Sequence, residues 1–424
     1  MITRFEIKNF RMLRANAASL SPFVVLVGKN ATGKSTLMGA IRFVSDLLRG
    51  GVQAALANAL ERDAPSFAEL CFQPDDPIEI ALEIALDGRR ARYEVRVGPD
   101  ATGAVAVTGE HLFLLPDALP GDPKDGPQLA LSDPRSSVWE ASEIKGVRAI
   151  PPAGWRKVVA KTDDGKDLFR DELTSWEHLL RYGTDRSALG GIPEDLDRFP
   201  FSIRVRDFLR DGVKCIELDS RKLREPSVPR SPTGLLPDGS NLARAAAALR
   251  DRDRVAFDQW VDHVGSAIDG LQGIDVWERP EDKKLVLRAH FAGHHGGPVP
   301  SWTLSDGTLR LLALSLLSYA GTEPAGVALI EEPENGLHPL AMQAVYDALS
   351  QPAEGGQVLV ATHSPSFWHT YRSPRLWSSD EWPTAAPRSV EERRSPSFAT
   401  GSSQPRWPMS SPPGCSHDSD KRAA

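Results

Sequence analysis

The stretch FVVLVGKNATGKST, residues 23–36, decides the fold of this chain. An apolar and largely β-branched run comes first, a glycine-rich segment follows at once, and apolar residues then recur at helical spacing from Ser35 to Leu48. Strand, glycine-rich loop and helix in this order form the setting in which G-x-x-x-x-G-K-[ST] binds phosphate. We therefore expect an α/β fold of the P-loop NTPase type, with a mixed sheet that carries the loop.

The chemistry of this loop follows from its residue types. Its glycines let successive backbone N–H groups turn inward around the β- and γ-phosphates, and the following helix presents its positive end. Lys34 adds a positive charge, and Ser35 offers its hydroxyl to Mg²⁺. A chance glycine-rich turn is disfavoured because every fixed position of the motif matches. The residues predicted to bind ATP are Gly28, Lys29, Asn30, Ala31, Thr32, Gly33, Lys34, Ser35 and Thr36.

A second apolar strand ends in paired carboxylates, Glu331 and Glu332, in the stretch VALIEEPE. At such a strand end, the first carboxylate is expected to face the water shell of the metal ion, and the second to face the water that attacks the γ-phosphate. We predict Glu331 and Ser35 as metal ligands and Glu332 as the catalytic base. Taken alone, the segment is also compatible with a solvated acidic turn.

Two further segments have the residue types expected of groups that contact a γ-phosphate. LSDGTLR, residues 304–310, precedes an apolar helix, and VLVATHSP, residues 358–365, is an apolar run that reaches a histidine. Ser305 and the N–H groups at a helix start suit an anion, although the same pattern is an ordinary helix N-cap. His363 can donate to a γ-phosphate and report its presence. With Lys34 and Glu332, His363 completes the predicted catalytic set.

These segments resemble the RecF/SMC-like branch of the ABC-type ATPases, in particular stand-alone bacterial ATPases related to the overcoming-lysogenization-defect proteins. The resemblance covers residues 1–367. The matching segments are FEIKNFR at 5–11 for the first strand, 28–36 for Walker A, DGSNL at 238–242, 304–310 for the signature motif, 330–339 for Walker B and the D-loop, and 362–365 for the switch histidine.

The resemblance implies Mg²⁺-dependent ATP hydrolysis in a head-to-tail homodimer. In such a dimer, Ser305, Gly307 and Arg310 of one subunit close over the ATP bound at Lys34 of the other. It also implies the ABC-ATPase form of the fold, with an antiparallel β lobe and a helical insertion.

Two positions depart from the pattern of that branch. Glu331 stands where many ABC-type ATPases have Asp, which affects the expected metal geometry. The glutamine of the Q-loop has no secure position, and Gln73 is the available residue.

The pattern along the chain predicts four segments. Alternation around Asp87-Gly88 predicts a hairpin of the β lobe, and residues 168–182 have the pattern of a helix. The predicted segments are 1–115, the first half of the ATPase domain with Walker A and the β lobe; 116–270, an insertion or helical lid; 271–367, the second half with signature, Walker B and switch histidine; and 368–424, a disordered or frameshifted tail.

The tail prediction depends on an abrupt change of composition after Phe367, to Ser, Pro, Arg and Trp without periodicity. Such a segment cannot pack a core. A reading-frame shift near Ser366 is our hypothesis for its origin. The tail offers no strands ending in paired carboxylates, so we expect no Toprim nuclease in this chain.

Composition bounds the function class. A net charge of -7 excludes a wholly basic nucleic-acid binder, and 41% hydrophobic residues are ordinary for a globular protein. Three scattered cysteines predict neither disulfides nor zinc, and the absence of a long apolar run predicts a cytoplasmic protein without a membrane role.

The resemblance suggests DNA maintenance or anti-phage defence, with DNA or a nuclease or toxin effector as partner. Two alternatives stay open. One is the nucleotide-binding subunit of an ABC transporter, and the other is an ATP-binding switch with little hydrolysis.

Overall fold

A computed structural model of the chain describes residues 1–27, 33–60, 66–116, 154–161, 165–174, 176–320, 326–351, 356–363 and 376–378. These residues belong to one compact unit, Met1–Thr384. They form sheets of eight, five and three strands together with helices, so the predicted α/β class is confirmed.

The largest sheet is antiparallel throughout and forms the β lobe, in the order β2-β1-β4-β5-β6-β7-β8-β9. Asp87 and Gly88, at φ 51° and 76°, make the two-residue turn between β4 and β5, which confirms the predicted hairpin. Its strands are β1 (Ile2–Phe10), β2 (Leu13–Ser19), β4 (Ile78–Leu86), β5 (Arg89–Pro99), β6 (Val105–Leu115), β7 (Arg156–Lys161), β8 (Asp167–Arg170) and β9 (Glu177–Leu180).

The helix predicted over residues 168–182 is wrong, because β8 and β9 form a hairpin there. The carboxylate of Asp171 accepts the N–H groups of Leu173 and Thr174 at 2.7 and 2.9 Å, which folds the chain back. Pairing of β8 with β7 then fixes the extended conformation. The β lobe therefore reaches Leu180, and the segment 116–270 is not a purely helical lid.

The five-stranded sheet carries the functional residues. Its pairings are all parallel, in the order β10-β14-β15-β3-β16. The strands are β3 (Phe23–Val27), β10 (Val213–Ile216), β14 (Val327–Glu331), β15 (Gln357–Thr362) and β16 (Leu376–Ser378). Because the strands are parallel, β3, β14 and β15 all end at one edge, where ligands bind in such folds.

The strand β16 lies within the segment predicted as a tail. Leu376–Ser378 pairs with Val25, Leu26 and Val27 of β3. These three residues are thus part of the sheet, and the remainder of 368–424 lies outside the described residues.

Helices cover both faces of this sheet. Val24 and Leu26 of β3 join the core shared with α1 and the β lobe, whereas Val25 and Val27 join the core of α5 to α8. The helices are α1 (Lys34–Leu60), α2 (Phe67–Leu70), α3 (Pro200–Asp211), α4 (Ser220–Arg224), α5 (Leu242–Arg252), α6 (Arg254–Gly265), α7 (Asp306–Ala320) and α8 (Pro339–Leu349). A small antiparallel sheet, β11 (Leu271–Glu278), β12 (Leu285–Phe291) and β13 (Val299–Pro300), completes the fold.

Helix α1 is kinked at Gly51, whose φ is 78°. A Cβ atom at this position would lie 2.6 Å from the carbonyl oxygen of Asp185, so the close approach requires glycine. Within the described ranges, no helix is long and apolar enough to cross a membrane.

Candidate functional site

The phosphate-loop residues that the structure describes lie where β3 passes into α1. Gly33 has a φ of 97°, a left-handed conformation that favours glycine, and α1 begins at Lys34. The start of a helix with a lysine is the expected setting for a phosphate. The other predicted members, Gly28, Lys29, Asn30, Ala31 and Thr32, lie outside the described residues.

Ser35 and Glu331 meet at the carboxyl edge of the sheet. The Ser35 hydroxyl donates to Glu331 Oε2 at 2.6 Å, and the Glu331 side chain is exposed. A hydroxyl and a carboxylate are oxygen ligands that suit Mg²⁺, which usually takes its remaining ligands from water and phosphates. Among the described residues, no group of three or more His, Cys, Asp or Glu side chains is placed to hold a metal ion.

Lys34, His363 and Glu332 form a chain of contacts. Lys34 Nζ lies 3.2 Å from His363 Nδ1, and His363 Nε2 lies 3.0 Å from Glu332 Oε1. Lys34 is only 5% exposed. Burial lowers the pKa of Lys34, and the nearby carboxylates of Glu332, Glu331 and Glu334 oppose that effect without cancelling it. The structure thus brings the predicted catalytic set together.

The backbone of Glu332 adopts an unusual conformation. Its φ is 45°, in the left-handed region that residues with a side chain rarely occupy, and its N–H donates to the carbonyl of Ala361 at 2.8 Å. Asn335 Nδ2 donates to Glu332 Oε2 at 2.6 Å. Backbone and side chain of Glu332 are therefore both held by neighbours, as expected of a positioned reactive group.

Glu334 holds the end of β15. Its Oε1 accepts the Thr362 hydroxyl and also the backbone N–H of His363, the latter at 3.1 Å. Its Oε2 is buried without a hydrogen-bond partner among the described residues. Glu334 and Asn335 were not predicted as site residues, although both come shortly after the paired carboxylates, where a carboxylate and an amide at a strand end could have indicated them.

The signature segment packs against the turn that follows Glu332. Ser305 is exposed, and its Oγ accepts the N–H of Thr308 at 3.1 Å, so it also caps α7. A Cβ atom on Gly307 would lie 2.8 Å from the carbonyl oxygen of Gly336, which excludes a side chain there. Arg310 donates to the carbonyl of Leu218 at 3.3 Å.

Arg224 holds the loop that leads into the signature segment. Its guanidinium donates to the carbonyls of Leu304 and Trp302 at 2.5 and 3.1 Å and pairs with Asp306. No sequence motif pointed to this arginine. An exposed helix start with Ser305 is thus kept in a fixed position.

A cavity of 750 Å³ lies beside the Ser35–Glu331 pair. Ser35, Glu331, Glu332, Asn335 and Arg310 are among the residues that line it. The predicted metal ligands, the predicted base and one signature residue therefore share one space.

Two other sequence features have structural roles. The backbone N–H of Gln73 donates to Asn9 Oδ1 at 2.6 Å while its side chain is exposed, and Gln73 does not line the cavity, so its assignment to the Q-loop stays a prediction. Asn241 of the DGSNL segment is fully buried. Its side-chain amide donates to the carbonyls of Pro232 and Gly234 and accepts the N–H of Leu236, all in the preceding loop.

The chain matches one family of known proteins over most of its length. Residues 23–368 match the family described as "AAA domain, putative AbiEii toxin, Type IV TA system". The comparison with curated sequences gave no match.

Among solved structures, similar chains are the Smc head bound to the C-terminal winged-helix domain of ScpA and the SMC head domain from Thermotoga maritima. The first is 17% identical with a TM-score of 0.43, covering 86% of this chain and 90% of that one. The second is 12% identical with a TM-score of 0.40, covering 86% and 89%.

Proposed function

This chain belongs to that AAA-domain family, and on this premise we propose that it hydrolyses ATP with Mg²⁺, with two copies enclosing the nucleotides. The observation that supports this proposal most directly is that Lys34, His363 and Glu332 contact one another in sequence beside the hydrogen-bonded pair of Ser35 and Glu331. All five side chains lie at the carboxyl edge of one parallel sheet.

Each residue has a role that its contacts support. Lys34 binds the phosphates, and Ser35 with Glu331 holds Mg²⁺, which neutralises phosphate charge when bound. Glu332 accepts the proton of the attacking water, and His363 contacts the γ-phosphate. Because His363 touches both Lys34 and Glu332, it links phosphate binding to the base.

The enclosing dimer uses the signature segment of the second copy. Ser305 is exposed at the start of α7 and is held by Arg224 through the preceding loop, so it presents a hydroxyl and helix N–H groups to an anion. Gly307 lets this segment pack closely against the Gly336 carbonyl of its own chain, where a side chain would clash. In the cell, we propose that this ATP-dependent closure regulates an effector acting in DNA maintenance or anti-phage defence.

Glu332→Gln tests the proposal. It preserves shape but removes the base, so kcat should fall by about 10²–10⁴-fold while ATP binding persists and ATP-bound dimers accumulate. ATPase rate and sedimentation velocity are measured on the same preparation. Glu281→Gln is the matched control, because Glu281 is an exposed carboxylate in the turn between β11 and β12.

Two outcomes would contradict parts of the proposal. If Glu332→Gln hydrolyses ATP at the wild-type rate, Glu332 is not the catalytic base. ATP-dependent dimers in a wild-type protein that turns over no ATP would make the chain a nucleotide switch rather than an enzyme.

A further inference from the structure

The β lobe ends in an open strand edge. In the part of the chain that the structure describes, β9 is the last strand of its sheet and pairs only with β8. Asp171 N donates to the Trp176 carbonyl at 3.0 Å, and Tyr182 N donates to Asp167 Oδ2 at 3.1 Å, so the polar backbone groups at both positions point toward β8.

The intervening odd positions point the other way. Backbone groups alternate along a strand, so the N–H and C=O groups of Glu177, Leu179 and Arg181 face outward from the sheet edge. Such an edge is a template for another strand. Natural proteins usually protect an edge of this kind with charge, proline or a covering element.

Here the edge carries the charged residues Glu177 and Arg181 together with exposed apolar side chains. Leu173 is 77% exposed, Trp176 73% and Leu179 61%. Leu196, also 67% exposed, lies in the loop whose Arg198 contacts His178 of β9. Exposed apolar side chains gathered along one strand and its flanking turn are candidates for an interface.

The turn that presents these side chains is fixed. Arg156 donates to the carbonyls of Asp171, Glu172 and Thr174, and Asp171 accepts two N–H groups of the same turn. A surface that is ordered before binding loses little conformational entropy on association. The backbone at Leu173 and Trp176 therefore needs little reordering on association.

The sequence of this edge identifies the occupant, because it is complementary to itself. We propose that β9 pairs antiparallel with β9 of a second copy, about a two-fold axis at Leu179. In that register Leu179 faces its own counterpart, Glu177 faces Arg181 of the second copy, and Trp176 faces Tyr182. Opposite charges and aromatic pairs directly across antiparallel strands are stabilising.

The charges support this register. Among the described residues, no carboxylate pairs with Arg181 in its own chain, whereas Glu177 pairs with Arg170 of β8. In the paired edges, Arg181 gains the carboxylate that it lacks. The outward backbone groups of Glu177, Leu179 and Arg181 are satisfied at the same time, and none of these residues belongs to the ATP site.

Charge reversal tests the register on nucleotide-free, full-length protein by sedimentation velocity. Wild type should dimerise with rising concentration. Glu177→Arg and Arg181→Glu should each be monomeric, because each homodimer would oppose like charges twice. An equimolar mixture of the two variants should form dimers again, since both pairs are then of opposite sign.

A cross-link tests the axis. Leu179→Cys should be joined to a second copy by a short bismaleimide far more efficiently than Val255→Cys, an equally exposed position on α6. Lys34→Ala should still dimerise, because this contact does not use ATP. A monomeric wild type, a mixture that stays monomeric, or equal cross-linking at both positions would overturn the proposal while leaving the proposed ATPase untouched.

Discussion

Two clusters of charge in this molecule differ in how their groups are satisfied. In the β lobe, the Arg92 guanidinium is 2% exposed and bonds Glu6, Glu83 and Glu94 at 2.7 to 3.3 Å. At the sheet edge, Glu332 and His363 form a pair that remains partly exposed. Both clusters contain a buried cation, Arg92 or Lys34, near carboxylates, but at the sheet edge the Glu332 and His363 side chains remain partly exposed.

This difference in exposure distinguishes charges that stabilise the fold, in the β lobe, from charges that can bind a ligand, at the edge of the parallel sheet. Glu6 and Glu94 raise the pKa of Arg92 against the effect of burial, so its positive charge is fixed in the folded protein. Burial lowers the pKa of Lys34, and the carboxylates of Glu332, Glu331 and Glu334 offset only part of that effect. A bound phosphate would favour the charged form of Lys34 further.

The largest expected effect comes from breaking the sealed cluster. Arg92→Ala leaves Glu6 and Glu94 buried without their cation, and unfolding in urea should show a loss of about 3–5 kcal/mol. At a temperature where the variant is folded, ATPase activity per folded molecule should match wild type. A loss of activity without a loss of stability would show that the comparison between the two clusters is wrong.

A smaller effect is expected at the open site. Glu334→Ala removes the acceptor that fixes Thr362 and His363, and kcat should fall by about 10–100-fold, as for other residues that orient reactive groups. The KM for ATP and the melting temperature should change little, since Lys34 and the loop remain.

Glu334→Gln is the matched control for that variant. Its amide oxygen can still accept from Thr362 and His363, so it should recover most of the activity if Glu334 acts through hydrogen bonds. If the kcat of Glu334→Gln is as low as that of Glu334→Ala, Glu334 acts through its negative charge beside Lys34 and not through its hydrogen bonds.

The smallest effect is one of pH. Burial alone would raise the pKa of Glu6, but hydrogen bonds and charge from Arg92 and Arg4 outweigh it and hold the pKa below 4.5. The stability that ionised Glu6 contributes is present above that value and is lost as pH falls through the folded-state pKa. The difference in unfolding free energy between wild type and Glu6→Gln should narrow below pH 4.5; a constant difference would contradict the shift.

Sequence patterns predicted elements well where local order decides them. The apolar helix predicted after LSDGTLR is α7, the apolar strand predicted to end in Glu331 and Glu332 is β14, and the apolar run that reaches His363 is β15. The helix predicted over residues 168–182 was wrong because their apolar spacing suits a helix, whereas backbone pairing of β8 with both β7 and β9 made the segment extended. Local periodicity does not report which neighbours are available.

The sequence by itself predicted which side chains meet at the edge of the sheet. Lys34, Ser35, Glu331, Glu332 and His363 each lie in a short motif with its own strand or helix, and parallel strands bring such ends together. The tertiary structure decided how those side chains are held, through Glu334 and Asn335, and made β9 the last strand of its sheet among the described residues. The contacts of Glu334 with Thr362 and His363 join segments 28 and 29 residues apart, and a sheet edge depends on which strands pair, so local periodicity reports neither.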